Sequence, residues 1–191
     1  LKVEVHLEDE VSDPHIFGDS PVVIATGAKP IILHSIKGYE RMIEACEYLT
    51  GTEVGSSVAV IGGGLVGLET ADTLATDGCD VTVLEMKDEI GSDLGSLRKI
   101  AVMMKLQQMQ VKMLPNSKVC KFTEEGIVLE DETLVPCNCA VFAVGFASND
   151  SHLLVEECEK RQIPCRVIGD AKSARRALDA IAEGFEAART L

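Results

Sequence analysis

The sequence predicts an α/β protein built on a parallel sheet in three layers, with helices on both faces and a small antiparallel β-meander inserted late. Three observations predict it. Short, continuous apolar runs at Pro21–Ala25, Val58–Ile61, Val81–Leu84 and Cys139–Val144 read as strands buried on both faces, the habit of a parallel sheet. Segments of helical spacing separate several of them. From Lys118 to Val135 the pattern changes to short β-rich runs divided by acidic turns.

In chain order, Leu1–Leu7 alternates, with Val3, Val5 and Leu7 on one face and Lys2, Glu4 and His6 on the other, a strand with one wet face. The run from Pro21 stops at Gly27. Gly38–Leu49 places Met42, Ile43, Ala45, Cys46 and Leu49 at helical spacing. Val58–Ile61 is a strand, broken by Gly62, Gly63 and Gly64. Leu65–Thr76 is a helix with Leu68, Ala71, Leu74 and Ala75 inward, ended by Gly78. Val81–Leu84 follows and closes at Glu85, completing a strand–helix–strand crossover. Leu94–Gln110 is a further helix and Val111–Leu114 a strand. Lys118–Phe122, Gly126–Leu129 and Thr133–Val135 form the meander. Cys139–Val144 ends at Gly145, Arg166–Ile168 ends at Gly169 and Asp170, and Ala174–Ala188 closes the chain as a helix.

Composition narrows the function classes. In 191 residues, 46% are hydrophobic and 26% charged, the mix of a globular domain with a sizeable core. The formal charge of −13 argues against a nucleic-acid surface and against docking on an anionic membrane. No apolar run approaches the ~20 residues that span a bilayer. Seven scattered cysteines, Cys46, Cys79, Cys120, Cys137, Cys139, Cys158 and Cys165, repeat no ligand pattern and predict free thiols in a reducing cytoplasm, with no metal site.

The strongest signal is the glycine run. Gly62, Gly64 and Gly67 fit G-x-G-x-x-G after a strand and at the opening of a helix, the context that gives a Rossmann-like turn its meaning. Gly62 permits the tight turn, Gly64 lets a pyrophosphate approach the backbone, and Gly67 lets the helix pack on the sheet. The helix start at Leu65 and Val66 offers free N–H groups to phosphates. Glu85 ends the next strand, where a carboxylate accepts hydrogen bonds from an adenosine ribose diol and repels a 2′-phosphate, so the reading is NAD rather than NADP. Two readings of Glu69 stand: an acid in the first turn that suits the helix dipole, or a group facing the nicotinamide end. Asp170 reads as a cap for backbone donors, with Arg175 and Arg176 near enough to form an ion pair.

These pieces resemble the two-dinucleotide-domain flavoprotein oxidoreductases, the glutathione-reductase-like group. The matching residues are Ala25, Thr26 and Gly27; Gly62, Gly64, Gly67 and Glu69; Ala143, Val144 and Gly145; and Val167 to Asp170. The tail from Val167 to Phe185 is similar to the C-terminal part of the NADH:flavin oxidoreductases related to 2,4-dienoyl-CoA reductase, 2-enoate reductase and trimethylamine dehydrogenase. The resemblance implies that Ala25, Thr26 and Gly27 lie against FAD. It places Gly169 and Asp170 beside the ribityl chain and pyrophosphate of that flavin, and Glu69 near the nicotinamide. Val144 and Gly145 would close over the nicotinamide cofactor.

The chain departs from that family in having no second G-x-G-x-x-G before Gly62, no Fe–S cysteine set and no C-x-x-C redox pair. It reads as a fragment: residues 38–149 an NAD(H)-binding domain, and residues 1–37 with 150–191 a partial FAD-domain layer. The missing N-terminal part of the same protein, carrying flavin and substrate domains, would be its partner. Apolar surface left bare by that absence would favour self-association into a homo-oligomer. The function that follows is an NADH-dependent flavoprotein oxidoreductase in the intact protein, with the isolated chain inactive and no catalytic residue assigned. Alternatives are a nucleotide-binding module without activity, and a flavin-independent NAD dehydrogenase. The last needs a catalytic His, Lys or Tyr near the cofactor, whereas His6, His15, His34 and His152 lie outside the crossover, and Tyr39 and Tyr48 fall on a separate predicted helix.

Overall fold

The computed structural model describes residues 2–13, 16 and 18–191. Leu1 and His15 lie outside the described residues. The strands are β1 (Val22–Ile24), β2 (Ala28–Pro30), β3 (Ile43–Glu44), β4 (Ser57–Ile61), β5 (Asp80–Leu84), β6 (Lys112–Leu114), β7 (Val119–Phe122), β8 (Gly126–Leu129), β9 (Leu134–Pro136), β10 (Cys139–Phe142), β11 (Phe146–Ser148) and β12 (Cys165–Val167). The helices are α1 (Ala45–Leu49), α2 (Leu65–Thr76), α3 (Ser96–Gln108), α4 (His152–Lys160) and α5 (Ala177–Thr190). They pack as two compact units, one of Pro30–Gly145 and one of the residues up to Lys29 together with Phe146–Leu191.

The Pro30–Gly145 unit is built on a five-stranded parallel sheet of order β3-β10-β4-β5-β6. Strand alternation sends two residue sets to opposite faces. Val58, Val60, Val81, Val83, Cys139 and Val141 pack with Leu68 and Leu74 of α2, Leu106 of α3, and Ala45 and Tyr48 of α1. Ala59, Ile61, Leu84, Ala140 and Phe142 pack instead with Phe122, Ile127, Leu129 and Val135 of the antiparallel β7-β8-β9 meander. The three layers are therefore helices, sheet and meander. The expected helices on both faces are corrected here: the second face of this sheet is covered by the meander, whose apolar side supplies the same burial.

Two further expectations are revised. Gly38–Leu49 is not one helix but a 3-10 turn at Tyr39–Arg41, then β3, then the short α1. Ile43 and Glu44 pair with Val141 and Phe142 at the sheet edge, and those backbone bonds prevail over the helical spacing. Residues 2–7 form no strand, and Val3, Val5 and Leu7 are exposed. A strand needs a neighbour to satisfy its N–H and C=O groups, and no strand among the described residues pairs with this segment. The α4 helix, His152–Lys160, carries no expectation from the sequence reading; it begins one residue after Ser151.

In the second unit, β1 pairs in parallel with β12, in register Val22 with Cys165 and Ile24 with Val167. The expected double-sided burial of β1 is corrected: Val23 is 44% exposed while Ile24 is 4%. A two-stranded sheet covers one face at most. The β2 and β11 strands pair as a second ribbon. Leu178, Ile181 and Phe185 recur along one side of α5, and all three are exposed. No helix among the described residues is long and apolar enough to cross a membrane.

Candidate functional site

The parallel sheet places the carboxyl ends of β4, β5 and β10 side by side. The chain leaves β4 toward β5 on one side, while β10 pairs on the other. Such a switch of direction opens a crevice in parallel sheets. A cavity of about 480 Å³ lies there, lined by Gly62, Gly64, Leu65, Val66, Glu85, Ala143, Val144 and Gly145, with Lys87, Asp93 and Lys118 at its polar side.

The turn depends on two glycines. Gly62 has φ +112°, and a Cβ there would overlap the Ala143 carbonyl oxygen of the neighbouring strand. Gly67 lies behind the cavity, in the first turn of α2, where a Cβ would overlap the Gly62 carbonyl oxygen. The absence of that one carbon lets α2 sit directly on its own turn. Gly64 is the N-cap of α2 and contributes no side-chain cap. The N–H groups of the first turn therefore need an acceptor from elsewhere.

Two carboxylates supply acceptors at this turn. Glu85 Oε2 accepts from the Gly63 N–H at 2.8 Å, and its Oε1 accepts from the Lys87 N–H at 2.9 Å. Asp93 Oδ2 accepts from the Leu65 N–H at 2.9 Å. The sequence marked Glu85 as an acidic strand end; that its carboxylate holds Gly63 was not legible there. Asp93 was missed altogether, because it lies 28 residues from its partner in a loop with no motif. Each Glu85 oxygen retains a lone pair for a further donor. On the cavity's basic side, the Glu130 carboxylate beside Lys118 raises its ammonium pKa, so that cation stays charged. Leu33, Ile36, Ile61, Leu84 and Val119 add apolar lining. The donor set fits a dinucleotide: an open glycine turn at a helix start, a fixed carboxylate at the neighbouring strand end, and apolar lining for rings.

Glu69 is not in the first turn of α2 as the sequence reading had it. The helix begins at Leu65 with Gly64 as cap, which makes Glu69 its fifth residue. Its Oε1 accepts from Arg98 of α3 at 2.7 Å on the exposed surface, and Glu69 does not line the cavity. An exposed pair of this kind contributes about 0–1 kcal/mol. Tyr48 does fall on a helix apart from the crossover, the short α1, where it is buried and donates to Asp77 Oδ2 at 2.6 Å, whereas Tyr39 lies in the 3-10 turn. Burial and the Asp77 carboxylate push its phenol well above its usual range.

The remaining candidates lie in the other unit and come together there. Ala25, Thr26 and Gly27 leave the carboxyl end of β1, and Gly169 and Asp170 follow the adjacent β12. Asn149 holds the first segment, donating from Nδ2 to the Thr26 carbonyl at 2.8 Å and from its backbone to that of Gly27 at 3.0 Å. Asp170 Oδ1 accepts from the Arg175 N–H at 3.2 Å, a cap on the approach to α5. The ion pair considered for Asp170 is corrected: the Arg175 guanidinium meets Glu183 Oε1 at 2.6 Å instead. Glu183 also takes Lys172 at 3.0 Å and the Gly169 N–H at 2.8 Å. Arg175, then Lys172, then that N–H hold its carboxyl down at about 2. The sequence reading missed Glu183 because α5 reaches back to the turn only in three dimensions. Among the described residues no group of His, Cys, Asp and Glu could hold a metal.

Comparison with known proteins agrees with this geometry. The chain is 33% identical to a cinnamate reductase of Clostridium sporogenes over its whole length, which is 30% of that protein. It is 30% identical to an NADH oxidase of Thermoanaerobacter brockii across 87% of this chain and 27% of that one. The chain thus spans about a third or less of the curated relatives it matches. A solved structure of 2-naphthoyl-CoA reductase superposes with a TM-score of 0.79 at 24% identity, over 88% of this chain and 26% of that one, and shares its fold. The family model for pyridine nucleotide-disulphide oxidoreductase matches residues 2–171. With the glycine turn, the parallel sheet and this match in agreement, the chain belongs to the pyridine nucleotide-disulphide oxidoreductase family.

Proposed function

We propose that the Pro30–Gly145 unit binds NAD(H) and that the chain serves as the nicotinamide-binding part of a flavin-dependent oxidoreductase. The carrying observation is the cavity that joins the Gly62–Gly67 turn and the start of α2 to Glu85. In this reading the N–H groups of Gly64, Leu65 and Val66 meet the pyrophosphate. Glu85 accepts from the ribose diol, and Val144 and Gly145 close over the nicotinamide end. Glu69, which the structure ties to Arg98, would have to exchange that partner to reach the ring.

The bound nicotinamide supplies the hydride. The chain's own residues orient it and exclude water, and none acts as general acid or base. Ala25, Thr26, Gly27, Gly169 and Asp170 would contribute part of an FAD site in the intact protein, whose N-terminal part would supply the rest. By itself the chain would bind nucleotide without turnover. A flavin-independent dehydrogenase would need a histidine, lysine or tyrosine at the nicotinamide; among the described residues no histidine or tyrosine lines the cavity, and of its lysines, Lys87 and Lys118, the second is paired with Glu130.

The test is calorimetric titration of the chain with NADH and, in parallel, NADPH. Saturable binding that favours NADH by tenfold or more supports the reading. Binding of neither, by this chain and by Asp93→Asn alike, refutes it, and equal binding of both removes the role given to Glu85.

A further inference from the structure

We propose that Asp93 is an internal competitor for the phosphate position of this cavity: in the free protein its carboxylate occupies the anion position at the start of α2, and a bound diphosphate must displace it. The inference rests on the reading of the cavity as a dinucleotide site.

The start of a helix presents unpaired N–H groups and the positive end of the helix dipole, which together attract an anion. In this protein that anion is Asp93. Its Oδ2 accepts from the Leu65 N–H at 2.9 Å, across 28 residues of sequence. The contact lies on the side that Gly64 leaves open: a Cβ on Gly64 would stand 3.1 Å from Asp93 Oδ2 and 3.6 Å from its Oδ1. The space that an absent side chain frees for a phosphate is therefore filled by the protein's own carboxylate. Two residues back along the turn, the Gly63 N–H is already taken by Glu85. Asp93 also lines the cavity and is exposed, so its carboxylate has solvent to turn into.

The loop keeps Asp93 close after displacement. The Gly91 N–H donates to the Gly63 carbonyl at 2.7 Å, two residues before Asp93, and pins the loop to the turn itself. A displaced carboxylate stays within reach of the incoming phosphates, and like charges repel. Asp93 thus weakens anionic ligands twice, by occupying their donor and by lingering beside them. It does neither to an uncharged nucleoside that reaches only Glu85.

The experiment titrates NADH, and separately adenosine, into the wild-type chain, Asp93→Asn and Asp93→Ala. Asparagine keeps an oxygen able to accept from Leu65 while removing the charge. The expected result is NADH affinity raised roughly two- to fivefold in both variants, the scale of one charge at a helix end. That gain should shrink as salt is added, with adenosine affinity unchanged. Binding by the variants with a silent wild type supports the competition in its strongest form. NADH binding no tighter in Asp93→Asn than in a wild type that does bind overturns the competition and leaves the cavity reading intact; Asp93 is then a positioning residue for the turn. An equal gain for adenosine overturns it as well. No binding of NADH by any of the three overturns both readings together.

Discussion

Gly67 shows how much of a nucleotide turn can rest on one missing carbon. Any side chain there meets the Gly62 carbonyl oxygen of the same turn, with the Ala143 side chain 3.5 Å away as the next neighbour. Gly67→Ala should cost about 1–3 kcal/mol as overpacking. That would lower the melting temperature by about 2–4 °C per kcal/mol and weaken NADH binding, both measurable on one sample by thermal unfolding with and without NADH. An unchanged melting temperature would mean that the turn relaxes freely. Gly62, Gly64, Gly67 and Glu85 were legible because their spacing alone encodes a turn and a strand end. Asp93 and Glu183 were not, because their meaning lies in a partner 28 residues and 14 residues away.

Elements divide by how much they depend on neighbours. The α2 helix follows its local pattern: inward Leu68, Ala71 and Leu74 are fully buried, and Gly78 follows its end at φ +90°. The Gly38–Leu49 segment carries a helical pattern as well, yet two of its residues are drawn into the sheet edge beside β10. In α5, Glu183 ties the helix back to the Gly169–Asp170 turn through Arg175 and Lys172. Its carboxyl lies at about 2 when folded, against about 4.3 in an unfolded chain. A depressed folded value means that this stabilisation is complete above about 4.3 and is lost as pH falls toward about 2. Urea unfolding of wild type and Glu183→Gln at pH 6, 4 and 3 should show a gap that narrows with acid. A gap constant with pH would assign the effect of the substitution to something other than this ion cluster.

At the scale of the molecule the two units are unequal. The Pro30–Gly145 unit buries two apolar clusters, one on each face of its sheet. The other unit's buried apolar residues, among those described, are Ile24, Cys158, Ile163, Ala171 and Ala187, while Leu153, Leu178, Ile181 and Phe185 stay exposed. Local stability follows buried apolar contact. Native-state hydrogen exchange should therefore be at least about tenfold slower in β4, β5 and β10 than in β1, β12 and α4. Equal protection throughout would mean that the chain unfolds as one cooperative body.

The sequence by itself determined the α/β class, the strand–turn–helix around Gly62 to Gly67 and the acidic end of β5. These features are written in periodicity and in the special backbone demands of glycine, both local properties. Only the tertiary structure decided which layer covers the second face of the sheet, that Ile43 becomes an edge strand, and that residues 2–7 find no strand to pair with. It also decided that Glu69 faces Arg98 while Asp93 and Glu85 meet the turn. Each of these is a choice between partners distant in the chain, and hydrogen bonds and burial across such distances leave no spacing in the sequence to read.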